Sequence, residues 1–182
     1  MDKNRKSPVS RPVTVSVLPT NGFDLRIDAD EAERTALAEA HGLSQAAAFH
    51  ADLVLKRWRK DGVKVAGSLT ARITQQCVVT LAPIETVIET TVDAVFLPEG
   101  SSLERPLDDD GALLVDPDGP DAPETFVGGV LDAGAVAEEF FELEIDPYPR
   151  AEGAALDIES DNEDGDGRAN PFAGLAALRD KL

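Results

Sequence analysis

Hydrophobic and polar residues alternate along a long stretch of this chain, from Ala48 to Phe96. Between positions 63 and 81 the odd positions are mostly apolar and the even ones mostly polar, and the segment before it follows the same parity. After Pro83 the apolar residues move to the even positions. A period of two is typical of strands with one buried and one solvated face. The pattern therefore predicts a three-stranded antiparallel meander.

The residues between the first two strands predict how these strands pair. A three-residue loop, Lys60-Asp61-Gly62, with Gly62 in the left-handed conformation, places Leu53 opposite Leu69. A two-residue Asp-Gly loop would instead match odd positions with even ones and put charged residues against apolar ones. We therefore expect the longer loop, which also sets Trp58 opposite Lys64.

Cys77 is the only cysteine in the chain. A turn through Ala82-Pro83 would join the second and third strands and place Cys77 opposite Ile88 on the apolar face. A thiol in such surroundings has a raised pKa and little thiolate, and neither a second cysteine nor a nearby histidine is available for a metal site. We interpret Cys77 as a buried core residue.

Shorter elements precede the meander. Val13, Val15 and Val17 alternate with polar residues and predict a strand near the start of the chain. A helix is predicted over residues 30–41, with Asp28 or Asp30 as its N-cap and Gly42 at its end.

Two more helices are predicted after the meander. Val136, Phe140 and Leu143 recur at helical spacing, and Pro147 and Pro149 end this helix. Residues 170–182 form a second, short amphipathic helix that needs a surface on which to dock. The fold class that follows is α+β: an antiparallel meander sheet, or a partly open small barrel, with two or three flanking helices.

The formal net charge of −18 is concentrated in two segments. Residues 98–124 hold nine acidic side chains and one basic, and residues 151–169 hold seven acidic and one basic, which together account for −14. These segments contain too little apolar surface to offset the entropy of ordering them, so we expect them to be flexible. The predicted organisation is a flexible N-terminus 1–12, an α+β domain 13–150 with the acidic insertion 98–124, an acidic linker 151–169 and the helix 170–182.

Catalysis has little support in the sequence. His41 and His50 are the only histidines, and we expect exposed helix-end or strand positions for them rather than a role as general base. No phosphate-binding loop, dinucleotide-binding fingerprint or nucleophile elbow is present. The remaining enzymatic hypothesis is a hydrolase that uses Asp108, Asp109 and Asp110. We expect no enzymatic activity, no cofactor and no metal.

Location and assembly follow from what the sequence lacks. One cysteine cannot form an internal disulfide, and no run of 18 apolar residues is present. In a signal peptide a basic start is followed by an apolar stretch, and the basic, polar start of this chain is not. We expect a cytoplasmic protein, monomeric, without a membrane or small-molecule partner.

One cluster of basic residues surrounds the only tryptophan. At the tip of the first hairpin an exposed aromatic ringed by cations could stack a base and hold phosphates. The plainer interpretation is that Trp58 covers part of the sheet while the charges keep an edge soluble. The candidate binding residues are Lys56, Arg57, Trp58, Arg59, Lys60 and Lys64, together with the acidic Asp108, Asp109 and Asp110.

Three stretches of the chain are distinctive when taken together: "GSLTARITQQCVVTLAPIETVIETTVDAVFLPE", "FFELEIDPYPR" and "NPFAGLAALRDKL". In this order they resemble the YceD family of large ribosomal RNA subunit accumulation proteins. Many members carry C-x-x-C-L where this chain has Cys77-Val78-Val79-Thr80-Leu81, so no paired-cysteine role carries over. The resemblance implies a non-enzymatic factor that supports accumulation of large-subunit ribosomal RNA, and it supplies no catalytic residues.

Two mechanisms are compatible with these observations. In the first, which we favour, the protein is an acidic escort for a basic large-subunit ribosomal protein, and its carboxylates stand in for RNA phosphates. In the second, the hairpin tip binds pre-ribosomal RNA directly. A net charge of −18 repels RNA, so direct binding requires the acidic segments to point away from it.

Overall fold

The structure is a computed structural model that describes residues 6–103 and 123–155. Its elements in chain order are β1 Pro12–Thr14, a 3₁₀ turn Val15–Val17, β2 Phe23–Asp28, α1 Glu31–Ala40, β3 Gln45–Trp58, β4 Gly62–Gln76, β5 Pro83–Pro98, β6 Glu124–Phe126, β7 Val130–Asp132 and α2 Ala133–Leu143. The main sheet has the order β2-β3-β4-β5-β6, with only β5 and β6 parallel, while β1 and β7 pair separately. The predicted α+β class is confirmed, and the sheet is not closed into a barrel.

The three long strands β3, β4 and β5 form the predicted meander in a different register. Leu53 lies opposite Gly67, two positions from the predicted partner. Ile88 lies opposite Ala71 rather than Cys77. Both shifts are even, so the predicted buried face is retained although the predicted pairs are wrong. The second shift arises because the β4–β5 connection is the loop 77–82 instead of a tight turn.

The apolar face of the meander forms the core together with α1 and α2. Phe49 of β3 contacts Phe141 of α2 edge to face, with ring centroids 5.5 Å apart. Both rings are fully buried, as are Leu69 and Ile73 of β4 and Leu37 of α1. Burying a side chain of this size stabilises the fold by about 1.5–3 kcal/mol. The sheet therefore has one packed and one solvated face.

Gly67 of β4 lies against the backbone of β3. A Cβ atom at this position would be 2.0 Å from the carbonyl oxygen of Asp52 and 2.9 Å from Cα of Leu53. No real Cβ contact is that short, so only glycine fits here. A glycine inside a strand commonly marks such a close backbone approach.

The helix predicted over 30–41 is confirmed as α1. Asp30 is its N-cap: the carboxylate accepts a hydrogen bond from the amide of Glu33, and Glu33 bonds back to the amide of Asp30. This reciprocal arrangement is a capping box, and it satisfies two amides at the start of the helix. Gly42, with φ of +64°, follows the C-cap His41.

Two short strands differ from the prediction. The strand expected from Val13 to Val17 is limited to β1, which ends at Thr14, because the chain turns into a 3₁₀ helix at Val15. In contrast, β2 was not predicted, although it pairs with β3 along its whole length. Ile27 of β2 is fully buried, while Phe23 remains partly exposed.

The second helix is present as α2, with a different apolar stripe. Val136, Ala137 and Phe141 are buried, whereas the predicted stripe residue Leu143 is 76% exposed. The helix ends at Leu143, before the prolines. The next two amides donate to carbonyl oxygens three positions earlier instead of four: that of Glu144 to Phe141 and that of Ile145 to Glu142. The third predicted helix, 170–182, lies outside the described residues.

The described part of the N-terminal segment packs against α2. Val9 is fully buried, and a Cβ at Gly134 would lie 1.8 Å from its carbonyl oxygen. Asp132, the N-cap of α2, accepts hydrogen bonds from the Ser10 hydroxyl and the Arg11 amide. Arg11 also pairs with Glu33 of α1, and this hydrogen bond lowers the pKa of the Glu33 carboxyl. Residues 7–11 thereby link the starts of both helices.

Candidate functional site

The basic tip of the β3–β4 hairpin is the first candidate site, which we define as residues 56–64. Trp58 pairs with Gly62, so the loop is Arg59-Lys60-Asp61. Arg59, with φ of 53°, adopts the left-handed conformation that was predicted for Gly62. Trp58 therefore does not face Lys64. Instead Lys56 and Lys64 lie opposite each other, two like charges side by side.

Several cations of the tip are engaged within the chain. Arg57 donates from Nε to the carbonyl oxygen of Leu18 at 3.0 Å and from Nη2 to that of Ser16 at 2.8 Å. Its guanidinium therefore anchors the 3₁₀ turn to the hairpin. Lys64 forms an ion pair with Asp93 on β5 at 2.9 Å. Arg57 and Lys64 are thus already committed to neighbouring parts of this fold.

Trp58 is covered by its own neighbour. The guanidinium carbon of Arg59 lies 4.4 Å from the centroid of the indole ring, within range of a cation–π contact. The ring is partly buried rather than open on both faces. Among the described residues, Lys56 and Lys60 have no ion pair. The free positive charge of the tip is therefore smaller than the sequence indicates.

A cavity of about 370 Å³ adjoins the tip, between Lys60, the 3₁₀ turn and the turn at Gly128-Gly129. Asp61 borders this cavity and accepts a hydrogen bond from the Ser101 hydroxyl through Oδ2 at 2.9 Å. Its Oδ1 is buried and has no hydrogen-bond partner in the described part of the chain. A carboxylate at this position opposes phosphate binding by the lysine beside it.

The loop around Cys77 is the second candidate site. The amide of Cys77 donates to the carbonyl oxygen of Ala82 at 2.9 Å, and the amide of Leu81 donates to that of Cys77 at 3.0 Å. Leu81 has a φ of 60°, which the tight path of the loop imposes. Cys77 is fully buried, as predicted, but it lies in this loop and not in a strand.

Residues 146–151 cover the Cys77 loop. The carbonyl oxygen of Pro149 accepts from the amide of Val78 at 2.9 Å, and that of Asp146 accepts from Nε2 of Gln75 at 2.8 Å. Gln75 is buried in an otherwise apolar row, so this bond satisfies an amide that would be costly to leave unpaired. The "DPYPR" stretch is therefore fixed to the end of β4.

The sulfur of Cys77 accepts backbone hydrogen bonds. The amide of Ala151 donates to Sγ at 3.3 Å and that of Thr80 at 3.4 Å. These donors, with Ala151 the largest contribution, lower the pKa of the thiol from 9.0 to about 6. The predicted raised pKa is therefore wrong in direction, because the apolar neighbours of Cys77 come with inward-pointing amides that stabilise a thiolate.

His41 is nearly buried, contrary to the exposed position that we predicted. Its side chain is 8% exposed, its Nε2 lies 3.0 Å from Oε1 of Glu138, and its ring meets Phe141 edge to face. These contacts join the end of α1 to α2. His50 is exposed on β3, as predicted, and its Nδ1 lies 3.0 Å from Oδ1 of Asp28. Neither histidine lies at the hairpin tip or in the Cys77 loop.

The acidic candidates divide between described and undescribed parts of the chain. Asp108, Asp109 and Asp110 lie outside the described residues. Within residues 6–103 and 123–155, no group of three or more His, Cys, Asp or Glu side chains is placed to hold a metal ion. Glu124 of β6 and Glu139 of α2 lie close enough to interact. Burial first, and then the Glu139 charge, raises the pKa of the Glu124 carboxyl.

The fold and its sites define an acidic α+β protein with a solvated sheet face and a basic hairpin tip. Residues 65–179 match the family model described as "Large ribosomal RNA subunit accumulation protein YceD". The match covers more than half of the chain, so this chain belongs to the YceD family. No curated protein and no solved structure gave a match. In the helices described here, none is long and apolar enough to cross a membrane.

Proposed function

We propose that this protein supports the accumulation of large-subunit ribosomal RNA as a non-enzymatic, acidic escort for a basic large-subunit ribosomal protein. The role in RNA accumulation comes from the family, whose model matches residues 65–179. The escort mechanism is carried by one observation, the excess of carboxylates. The described residues alone hold 20 acidic and 11 basic side chains, a net charge of −9 within the total of −18.

The position of the charges supports a cationic partner. On α2 and just after it, Glu139, Glu142 and Glu144 are exposed, and the insertion 98–124 adds a formal charge of −8. Ribosomal proteins must be kept from non-specific contacts until they meet RNA. Carboxylates can screen them through a salt-sensitive, rapidly exchanging complex. Ribosomal RNA would then displace the escort because its phosphates are denser than these carboxylates.

Direct RNA binding through the hairpin tip is the second candidate. It is favoured by Lys56 and Lys60, which have no ion pair among the described residues. Against it, Arg57 is held by two carbonyl oxygens and Lys64 by Asp93. All the tip residues also precede position 65, where the family match begins. The tip therefore contributes too little free charge to outweigh the repulsion between RNA and the rest of the protein.

Two variants of the full chain distinguish the candidates. In the first, the seven carboxylates of residues 104–122 are changed to amides at constant length. In the second, Lys56→Gln is combined with Lys60→Gln, which spares the arginine that anchors the 3₁₀ turn. Each tagged variant is used to capture partners from lysate, with and without ribonuclease.

The escort mechanism predicts that wild-type protein retains large-subunit ribosomal proteins after ribonuclease treatment. The amide variant should retain far less and the lysine variant as much as wild type. Loss of capture after ribonuclease treatment, together with loss in the lysine variant, would instead establish RNA binding through the tip.

A further inference from the structure

The outer edge of β5 is open over most of its length. β5 pairs with β4 from Pro83 to Phe96, but its other neighbour, β6, pairs only with Phe96–Pro98. Within the described part of the chain, residues 84–95 have no backbone hydrogen-bond partner on the side away from β4. Twelve residues of strand correspond to about 40 Å of unpaired edge.

The contact with β6 shows which backbone groups face outward. The amide of Glu99 donates to the carbonyl oxygen of Phe126, so at this position of the chain the N–H points away from β4. Along a strand, alternate residues direct their N–H and C=O to the same side. Because the β4–β5 register is unbroken, the outward N–H and C=O groups belong to Glu85, Val87, Glu89, Thr91, Asp93 and Val95. Pro83, which has no N–H, begins this series.

Carboxylates border this edge on the solvated face of the sheet. The side chains of Glu85, Glu89 and Asp93 are exposed there, and so is Val87, at 59%. Charged residues on an edge strand are a common protection against unwanted pairing. Asp93 is already paired with Lys64 of β4, so the carboxylates of this edge that have no ion pair among the described residues are Glu85 and Glu89. Both are negative, so they oppose acidic or neutral apolar strands and favour cationic ones.

The packed face of the sheet adds more carboxylates along the same edge. Thr90 of β5 donates from Oγ1 to Oε1 of Glu144 at 2.9 Å, which places the end of α2 beside the middle of the edge. At the other end, where β6 begins, Glu124 and Glu139 lie near each other, and their mutual repulsion is part of the raised pKa of Glu124. A cation between these two carboxylates would relieve that repulsion.

We propose that the open edge of β5 binds an extended segment rich in Lys and Arg, which joins the sheet as an added strand flanked by carboxylates on both faces. The proposal rests on the proposed function and names the surface through which the escort would hold a basic protein. Main-chain hydrogen bonds would supply affinity, and the carboxylates would select the partner. A second copy of this chain fits poorly, because two antiparallel β5 edges centred on Glu89 would set Glu85 against Asp93.

The probe is a synthetic peptide in which Lys and Val alternate, added to the isotope-labelled full chain. The proposal predicts that the amides of Val87, Glu89 and Thr91 gain protection from hydrogen exchange. Thr91→Pro removes one outward N–H without removing a bond to β4, and it should weaken peptide binding. Because this variant risks misfolding, Glu85→Gln combined with Glu89→Gln provides an independent test. The matched control is Glu31→Gln with Glu39→Gln on α1, which changes the net charge equally.

The edge pair of substitutions should weaken binding about tenfold while the α1 pair leaves it near the wild-type value, since salt-dependent attraction acts over about 10 Å. Equal weakening by both pairs would show non-specific attraction and overturn the proposal. Protection along β2, the other sheet edge, would overturn it as well. A dimer that Thr91→Pro disrupts would identify the edge as an interface between copies, and protection of the same amides by an RNA oligonucleotide would make it an RNA surface; each contradicts the proposal.

A parallel measurement with ribosomal proteins freed of RNA separates this proposal from the proposed function. If wild-type protein binds them and the edge variants bind equally well, the escort mechanism stands and the β5 site is wrong. If wild-type protein binds none of them, the escort mechanism fails, whatever the peptide shows.

Discussion

The amide of Ala151 donates a hydrogen bond to Sγ of Cys77 over 3.3 Å, although 74 positions separate the two residues. This contact fixes the segment after α2 to the β4–β5 loop, and Thr80 adds a second donor from within the loop. The sequence suggests that Cys77 is only a buried core residue. In the structure its sulfur also accepts the hydrogen bond that joins two distant parts of the chain.

Stability should depend on the charge of Cys77. In the folded protein its pKa is lowered to about 6, against an ordinary value of 9.0. Between these pH values the unfolded state binds more protons, so this group contributes stability that is complete above pH 9 and disappears as the pH falls through 6. Chemical denaturation of wild type and Cys77→Ala at several pH values checks this. The wild-type advantage should grow from pH 6 to pH 9, and an advantage that shrinks would contradict the hydrogen-bond assignment.

Alkylation of Cys77 should require movement of the covering segment. Cys77 is fully buried, and Gln75 fixes Asp146 of that segment. Iodoacetamide should therefore label native protein much more slowly than denatured protein, and Gln75→Ala should speed native labelling. Gln76→Ala is the control, because its side chain is exposed on the other face of β4. Equal labelling rates in the two variants would show that the Gln75–Asp146 bond does not hold the cover closed.

Gly67→Ala should be strongly destabilising. The added methyl group would collide with the carbonyl of Asp52, a backbone atom that moves only with the whole of β3. Overpacking of this kind costs about 3 kcal/mol. Ser68→Ala, at the next position and exposed, should change the free energy of unfolding by less than about 0.5 kcal/mol. Similar thermal unfolding midpoints for the two variants would refute the close approach of the strands.

Asp132→Ala should destabilise the protein more than Asp30→Ala. Both residues are helix N-caps, whose loss costs about 1 kcal/mol. Asp132 additionally accepts hydrogen bonds from Ser10 and Arg11, so its loss also releases the N-terminal segment, which contains the buried Val9. Urea denaturation of both variants makes the comparison. An equal loss of stability would mean that the N-terminal segment contributes nothing through Asp132.

Alternation in the sequence predicted the buried face of the meander, because successive side chains of a strand point to opposite faces whichever residues they pair with. The pairing partners could not be predicted, since they depend on loop geometry: a left-handed Arg59 and the loop beginning at Cys77. β2 carries the same alternation, with Leu25 and Ile27 between charged residues, and could have been found from it.

Parts of the candidate site had no local signal in the sequence. The lowered pKa of Cys77 depends on the amide of Ala151, and the neutralisation of Lys64 depends on Asp93, so both need the tertiary structure. One indication was available: Gln75 interrupts an apolar row, and a buried amide there requires a partner. The open edge of β5 was also not predictable, because it depends on how few residues β6 contributes.

The central claim, that this protein holds a basic ribosomal protein rather than RNA, is tested most directly by competition between purified components. Fluorescently labelled full-length protein is mixed with large-subunit ribosomal proteins stripped of RNA, and binding is followed by anisotropy at physiological salt. Naked large-subunit ribosomal RNA is then added. The escort mechanism predicts binding to the protein fraction and release by the RNA, with no binding to RNA alone. Binding to RNA alone, with none to the protein fraction, would contradict it.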